Sequence, residues 1–120
     1  MRKLRVPAGA LALAIAGYTF AHPLTLDECT EGGEFIRNAA LSRDYGMSRA
    51  QFMGRLSDDI AMIQAFPPEL RWFVQDENDE ALLRGAAARV FDAPLKPEQH
   101  EAAFINECIQ TTLLGGEPAK

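Results

Sequence analysis

The most reactive side chains in this 120-residue chain are its two cysteines, Cys29 and Cys108. So wide a spacing suits a disulfide rather than zinc, whose Cys and His ligands come in close pairs. The acidic run from Asp76 through Glu77, Asn78 and Asp79 to Glu80 offers a second chemistry. Asp76, Asn78 and Glu80 take the first, third and fifth places of a calcium-binding loop. The pattern then breaks, with Ala81 where a glycine makes the turn and Ala87 where a bidentate glutamate completes the shell. A solvated loop that caps the next helix is the expectation instead. His22 would offer copper an amine and an imidazole as a mature N-terminus, but only His100 could join it. His100 lies among Glu98, Gln99 and Glu101, where exposure is the ordinary outcome. Neither metal nor cofactor is expected.

Carboxylates fare no better as catalysts. Asp58 and Asp59 are adjacent, so on a helix they point about a quarter turn apart and cannot work as an acid and base on one face. Asp59 lies beside the Leu56 to Ile60 stripe, where Arg37, Arg84 or Arg89 would have to satisfy it if it were buried. No Ser, Thr or Cys has an evident histidine or lysine base. No catalytic residue is expected, and an enzyme would have to gather carboxylates from separate helices. The candidate interaction surface is the aromatic cluster Phe66, Trp72 and Phe73 with the acidic Asp76, Glu77, Asp79 and Glu80. The same aromatics can instead cap the end of a helical core.

These residues need helices to place them. From about Leu26 to Arg43, Cys29, Gly33, Ile36 and Ala40 recur at helical spacing, and the adjacent Gly32 and Gly33 imply close approach of another backbone. Gly46 supplies a left-handed stop. Ser48 and Gln51 have the form of a capping box, so a second helix begins near Arg49 and buries Phe52, Leu56, Ile60 and Ile63. Pro67 and Pro68 end it, and Pro68 opens a short helix through Phe73. Leu82, Leu83, Ala86, Ala87, Val90 and Phe91 mark the clearest amphipathic helix. After Pro94, Pro97 opens the last helix, on which Ala102, Ile105, Cys108, Ile109 and Leu113 share a face before Gly115 and Gly116 end it. No stretch alternates as a strand would. The expected fold is all-α, a four- or five-helix bundle with the disulfide joining the first and last mature helices.

The N-terminus has the layout of a secretory signal, with basic Arg2, Lys3 and Arg5, an apolar run from Val6 to Ile15, and small residues up to Ala21. Residues 1–21 are therefore expected to be removed and residues 22–120 to form one domain ending in a frayed tail. The apolar run is short of the roughly 20 residues that cross a bilayer, so no membrane association is expected after cleavage. Cys29 follows Asp27 and Glu28, which does not favour lipid attachment. Three of the twelve Lys and Arg leave with the signal while all seventeen Asp and Glu stay, so the net charge becomes −8. No basic stripe remains for nucleic acid, and a cationic partner, or merely solubility, is the more natural use of such a charge. Export to the periplasm or the medium fits a chain whose two cysteines pair.

Cys29, the Arg43-Asp44-Tyr45-Gly46 segment, the Val90-Phe91-Asp92-Ala93-Pro94 segment, Pro97 and Cys108 follow one another in an order that resembles small uncharacterised exported helical proteins of proteobacteria. That resemblance covers nearly the whole mature length and implies no activity. The chain also has a looser overall likeness to the HdeA-type periplasmic acid-stress chaperones, which are exported, acidic, helical and held by one disulfide. The functional expectation is a non-enzymatic periplasmic binding protein, of the inhibitor or immunity kind. An acid-stress chaperone and an enzyme built on carboxylates are the alternatives.

Overall fold

A computed structural model describes residues 23–113. The expected signal segment, His22 and the expected tail lie outside them. Four α-helices make up the described chain, with no strand among them: α1 Leu26–Asp44, α2 Arg49–Ile63, α3 Glu77–Asp92 and α4 Pro97–Cys108. The short helix expected through Phe73 is reduced to a single 3-10 turn, Pro68–Leu70.

Local signals account for the helix ends. The Thr25 hydroxyl accepts from the Glu28 amide and the Glu28 carboxylate accepts from the Thr25 amide, which satisfies two orphan donors of α1 reciprocally. Ser48 and Gln51 do the same for α2. Gly46 turns the chain out of α1 with φ +106°, a conformation that costs a side chain but not glycine. Asp76 accepts from the Asp79 amide to cap α3, and Pro97 stands in the first turn of α4, where its missing N–H costs nothing. The end of α3 is closed by Arg43 of α1, whose guanidinium donates to the carbonyls of Val90 (2.7 Å), Ala93 (3.0 Å) and Leu95 (2.7 Å). Two segments far apart in sequence thus meet through one cation at a helix C-terminus, where positive charge is favoured.

Helix α4 lies along α1, and the Cys29–Cys108 disulfide joins them with 5.7 Å between the Cα atoms. Both sulfurs are fully buried in a core with Ile36, Ala39, Leu83, Ala87, Val90 and Phe104. The bridge fixes which face of α4 turns inward. Phe104 and His100, four and eight residues before Cys108, share its row and are buried, whereas Ala102 is exposed and Ile105 only half-buried. That corrects the expected face at Ala102, whereas Cys108 is buried as expected and Ile105 and Ile109 pack against the core from its edge. His100 is also inside rather than in solvent, with its Nε2 3.2 Å from the Ala93 carbonyl.

The paired glycines of α1 do mark a close approach, but to side chains rather than to a backbone. A Cβ on Gly32 would lie 2.5 Å from the Phe104 ring and 2.9 Å from Phe73, both locked in the core. One on Gly33 would meet Ile105 at 2.5 Å and Glu101 at 3.3 Å, both half-buried. In an unobstructed helix, Gly to Ala stabilises by about 1 kcal/mol. At Gly32 overpacking outweighs that gain, and Gly32→Ala is expected to cost a net 1–2 kcal/mol, about the lower part of the overpacking range. Gly33→Ala should cost less, because the side chains it displaces are half-buried rather than fully enclosed, and urea melts of the two variants compare them directly.

Candidate functional site

Helix α2 packs against α3, while its backbone approaches that of α1 hardly at all. The gap is crossed by rings: Phe35 of α1 meets Phe52 of α2 at 5.8 Å between centroids and Trp72 at 5.4 Å, and Phe52 meets Phe91 of α3 at 5.5 Å. Rings span the distance without filling it, and a groove of two chambers remains along α2.

The larger chamber, about 350 Å³, is walled by Phe35, Leu56, Ile60, Ile63, Trp72 and Leu83, with Met62 and Phe66 at its lip and Asp59 as its one ionisable group. That volume is at the small end of the range typical of ligand pockets. The smaller chamber, about 210 Å³, is lined by Phe35, Ser42, Met47, Phe52, Arg55 and Leu56, and again by Asp59. Phe35, Leu56 and Asp59 therefore belong to both.

The wall carrying Phe66 and Trp72 is irregular chain held by a polar clamp. The Arg71 guanidinium donates to the carbonyls of Phe66 (2.8 Å), Gln75 (3.1 Å) and Gln64 (3.2 Å). The Gln75 side-chain amide donates to the Pro68 carbonyl at 3.1 Å, and its backbone N–H donates to the Asp79 carboxylate at 3.0 Å. Gln75 and Asp79 are both buried. Burial pushes the Asp79 carboxyl up from 3.8 to about 6; the neighbouring charges of Asp76 and Glu28 add to that rise, and the hydrogen bond from Gln75 opposes it.

The candidate interaction surface is thus divided. Phe66 and Trp72 line the groove, but Phe73 is fully buried between Trp72 and Phe104, with centroids 5.6 and 5.5 Å away. Phe73 is a core residue because the clamp turns it inward onto Gly32, where the absence of a side chain makes room. Asp76 and Glu77 are exposed, Asp76 as the helix cap; Asp79 is inside; Glu80 is half-buried, pairing with Arg84 at 2.7 Å and accepting from Gln64 at 3.1 Å. The acidic run therefore holds a loop and a helix start rather than presenting one charged face.

Asp59 is exposed, so the condition under which an arginine would have to satisfy it does not arise, and the three candidates face elsewhere. Arg37 faces Glu101, Arg84 faces Glu80 and Ser57, and Arg89 faces Glu107. Asp59 and Arg55 are exposed, and neither has a hydrogen-bond or ion-pair partner among the described residues. Phe35 and Arg55 were not singled out in the sequence. A signal for Arg55 exists, since it stands one turn before Asp59 and two before Ile63. Among the described residues, no three His, Cys, Asp or Glu side chains gather as a metal would need, and no helix is long and apolar enough to cross a membrane. No protein-family model, curated protein or solved structure matches the chain.

Proposed function

We propose that this is an exported, non-catalytic binding protein that takes an apolar part of a partner protein into the α2 groove, in the manner of an inhibitor or immunity protein. The observation that carries the reading is the larger chamber: an open apolar space with rigid aromatic walls and one unpaired carboxylate at its mouth. Aromatic pockets of this kind are where interfaces concentrate their binding energy, and methionines such as Met62 and Met47 adapt to varied surfaces. Export is supported by the basic and apolar N-terminal pattern and is compatible with the buried disulfide.

Trp72 is the only tryptophan of the chain and lines the chamber, which makes it a built-in reporter. The neutral dye N-phenylnaphthylamine is expected to bind the folded protein and quench Trp72 emission as its own rises. Phe66→Asp and Met62→Asp alter exposed lip residues and should weaken dye binding about tenfold, equivalent to 1.4 kcal/mol, with the thermal midpoint unchanged. A folded protein that leaves the dye in water, or variants that bind it equally well, would overturn the reading.

A further inference from the structure

We infer that the partner of this groove is an amphipathic α-helix that presents an apolar side chain, a cation and an acid at successive turns, matching Ile63, Asp59 and Arg55 of α2. The inference rests on the groove being the binding site, as proposed above, and specifies what enters it.

Ile63, Asp59 and Arg55 are four residues apart along α2, so they form one row with steps of about 6 Å. Ile63 belongs to the apolar chamber, Arg55 to the smaller chamber, and Asp59 to both. Arg55 precedes Asp59, the poorer order for a pair spaced four apart on a helix, and the two make no ion pair. Each charge therefore remains available to an outside partner. A helix lying along α2 repeats the same spacing, so its complementary row reads apolar, cation, acid.

The shape of the site favours a helix over a lipid chain. The lip is open, with Met62 65% and Phe66 49% exposed, so an acyl tail would stay wet along one side whereas a helix turns its polar face outward there. A second copy of this chain fits poorly. Antiparallel α2 helices that pair each Arg55 with the other copy's Asp59 set Gln51 over Ile63, leaving the apolar chamber without an anchor. The acidic balance of the chain and its expected cationic partner agree with a lysine or arginine placed over Asp59. Charges at such a rim contribute mainly to register and partner choice.

The test uses two synthetic helices of equal composition. One carries Leu, Lys and Glu at successive turns, and the other Leu, Glu and Lys. The first is expected to bind at least about fivefold more tightly, read by Trp72 fluorescence, and the double reversal Asp59→Lys with Arg55→Glu to invert that preference. Both substitutions are at exposed positions, and unchanged circular dichroism confirms the fold. Equal binding of the two peptides, or a preference that survives the charge reversal, would overturn the inference. So would displacement of N-phenylnaphthylamine by a lysophospholipid and by neither peptide, or dimerisation of the free protein that Asp59→Lys abolishes. In each of these outcomes continued dye binding leaves the groove itself standing as a site, whereas loss of dye binding removes the broader reading.

Discussion

Changing Cys29 and Cys108 together to serine is expected to lower the thermal midpoint by about 15–25 °C. The bridge spans 79 residues of sequence, and on the chain-entropy account so long a loop contributes about 4.5 kcal/mol by restricting the unfolded chain. A domain of this size has a net stability of only about 5–15 kcal/mol, so the loss is a large part of the total. Burial sharpens the effect, because both sulfurs are fully enclosed between α1 and α4 and two serines there would leave hydroxyls in an apolar space. Cys29→Ala with Cys108→Ala separates the two costs: it removes the link without burying a hydroxyl and should fall by less. If the alanine pair melts within a few degrees of the parent, the bridge is not a principal support of the fold. The groove is walled mainly by α2, α3 and the clamp, away from the bridge. Near 20 °C, residual dye binding by the alanine pair would show that its walls assemble without the link.

Helix starts and stops were legible because they depend on neighbours in sequence. Ser48 with Gln51, Gly46, Asp76 and Pro97 each act within a turn of their own position, and each has the expected role. The inward face of α4 was legible only in part. Cys108 and Ile105 face α1 as their spacing implies, but His100 and Phe104 are inside where Ala102 was expected, a choice that belongs to the disulfide and to the space over Gly32. His100 illustrates the point, since its charged neighbours in sequence say nothing of the Ala93 carbonyl that meets its ring. The groove was legible in part. Phe66 and Trp72 stood out as aromatics beside prolines, and Asp59 as a charge beside an apolar stripe. That they share one cavity with Phe35 follows from the separation of α1 and α2, a distance between helices that periodicity along one helix does not encode. Phe73, next to Trp72 and of the same type, went to the core because a clamp of three carbonyls and one arginine alternates the two rings between inside and groove.

Asp79→Asn is expected to stabilise the protein at pH 7.5 by about 2 kcal/mol and to leave it unchanged at pH 4. The Asp79 carboxyl titrates at 3.8 when unperturbed and at about 6 in the fold, so between those values the folded state holds a proton that the unfolded state has released. Stability from this group therefore rises as pH falls through 6 and levels off below about 4. At 1.4 kcal/mol for each tenfold, the interval corresponds to about 3 kcal/mol, and residual water contact makes 2 the working figure. Asparagine reproduces the neutral form and keeps an oxygen to accept from the Gln75 amide, so its advantage is confined to the pH range where aspartate is charged. Asp79→Ala lacks that oxygen, leaves a buried N–H without an acceptor, and should lose about 1–2 kcal/mol at pH 4, where charge is no longer at issue. By the linkage above, mild acid favours the fold in which Gln75 and Asp79 are buried. This opposes the loosening that an acid-stress chaperone would draw from neutralised carboxylates, at least between pH 6 and 4. Thermal melts of the parent and both variants at pH 4, 5, 6 and 7.5 decide it: a parent-to-asparagine difference that is constant with pH would place the titration elsewhere, and one that grows towards acid would reverse its sign.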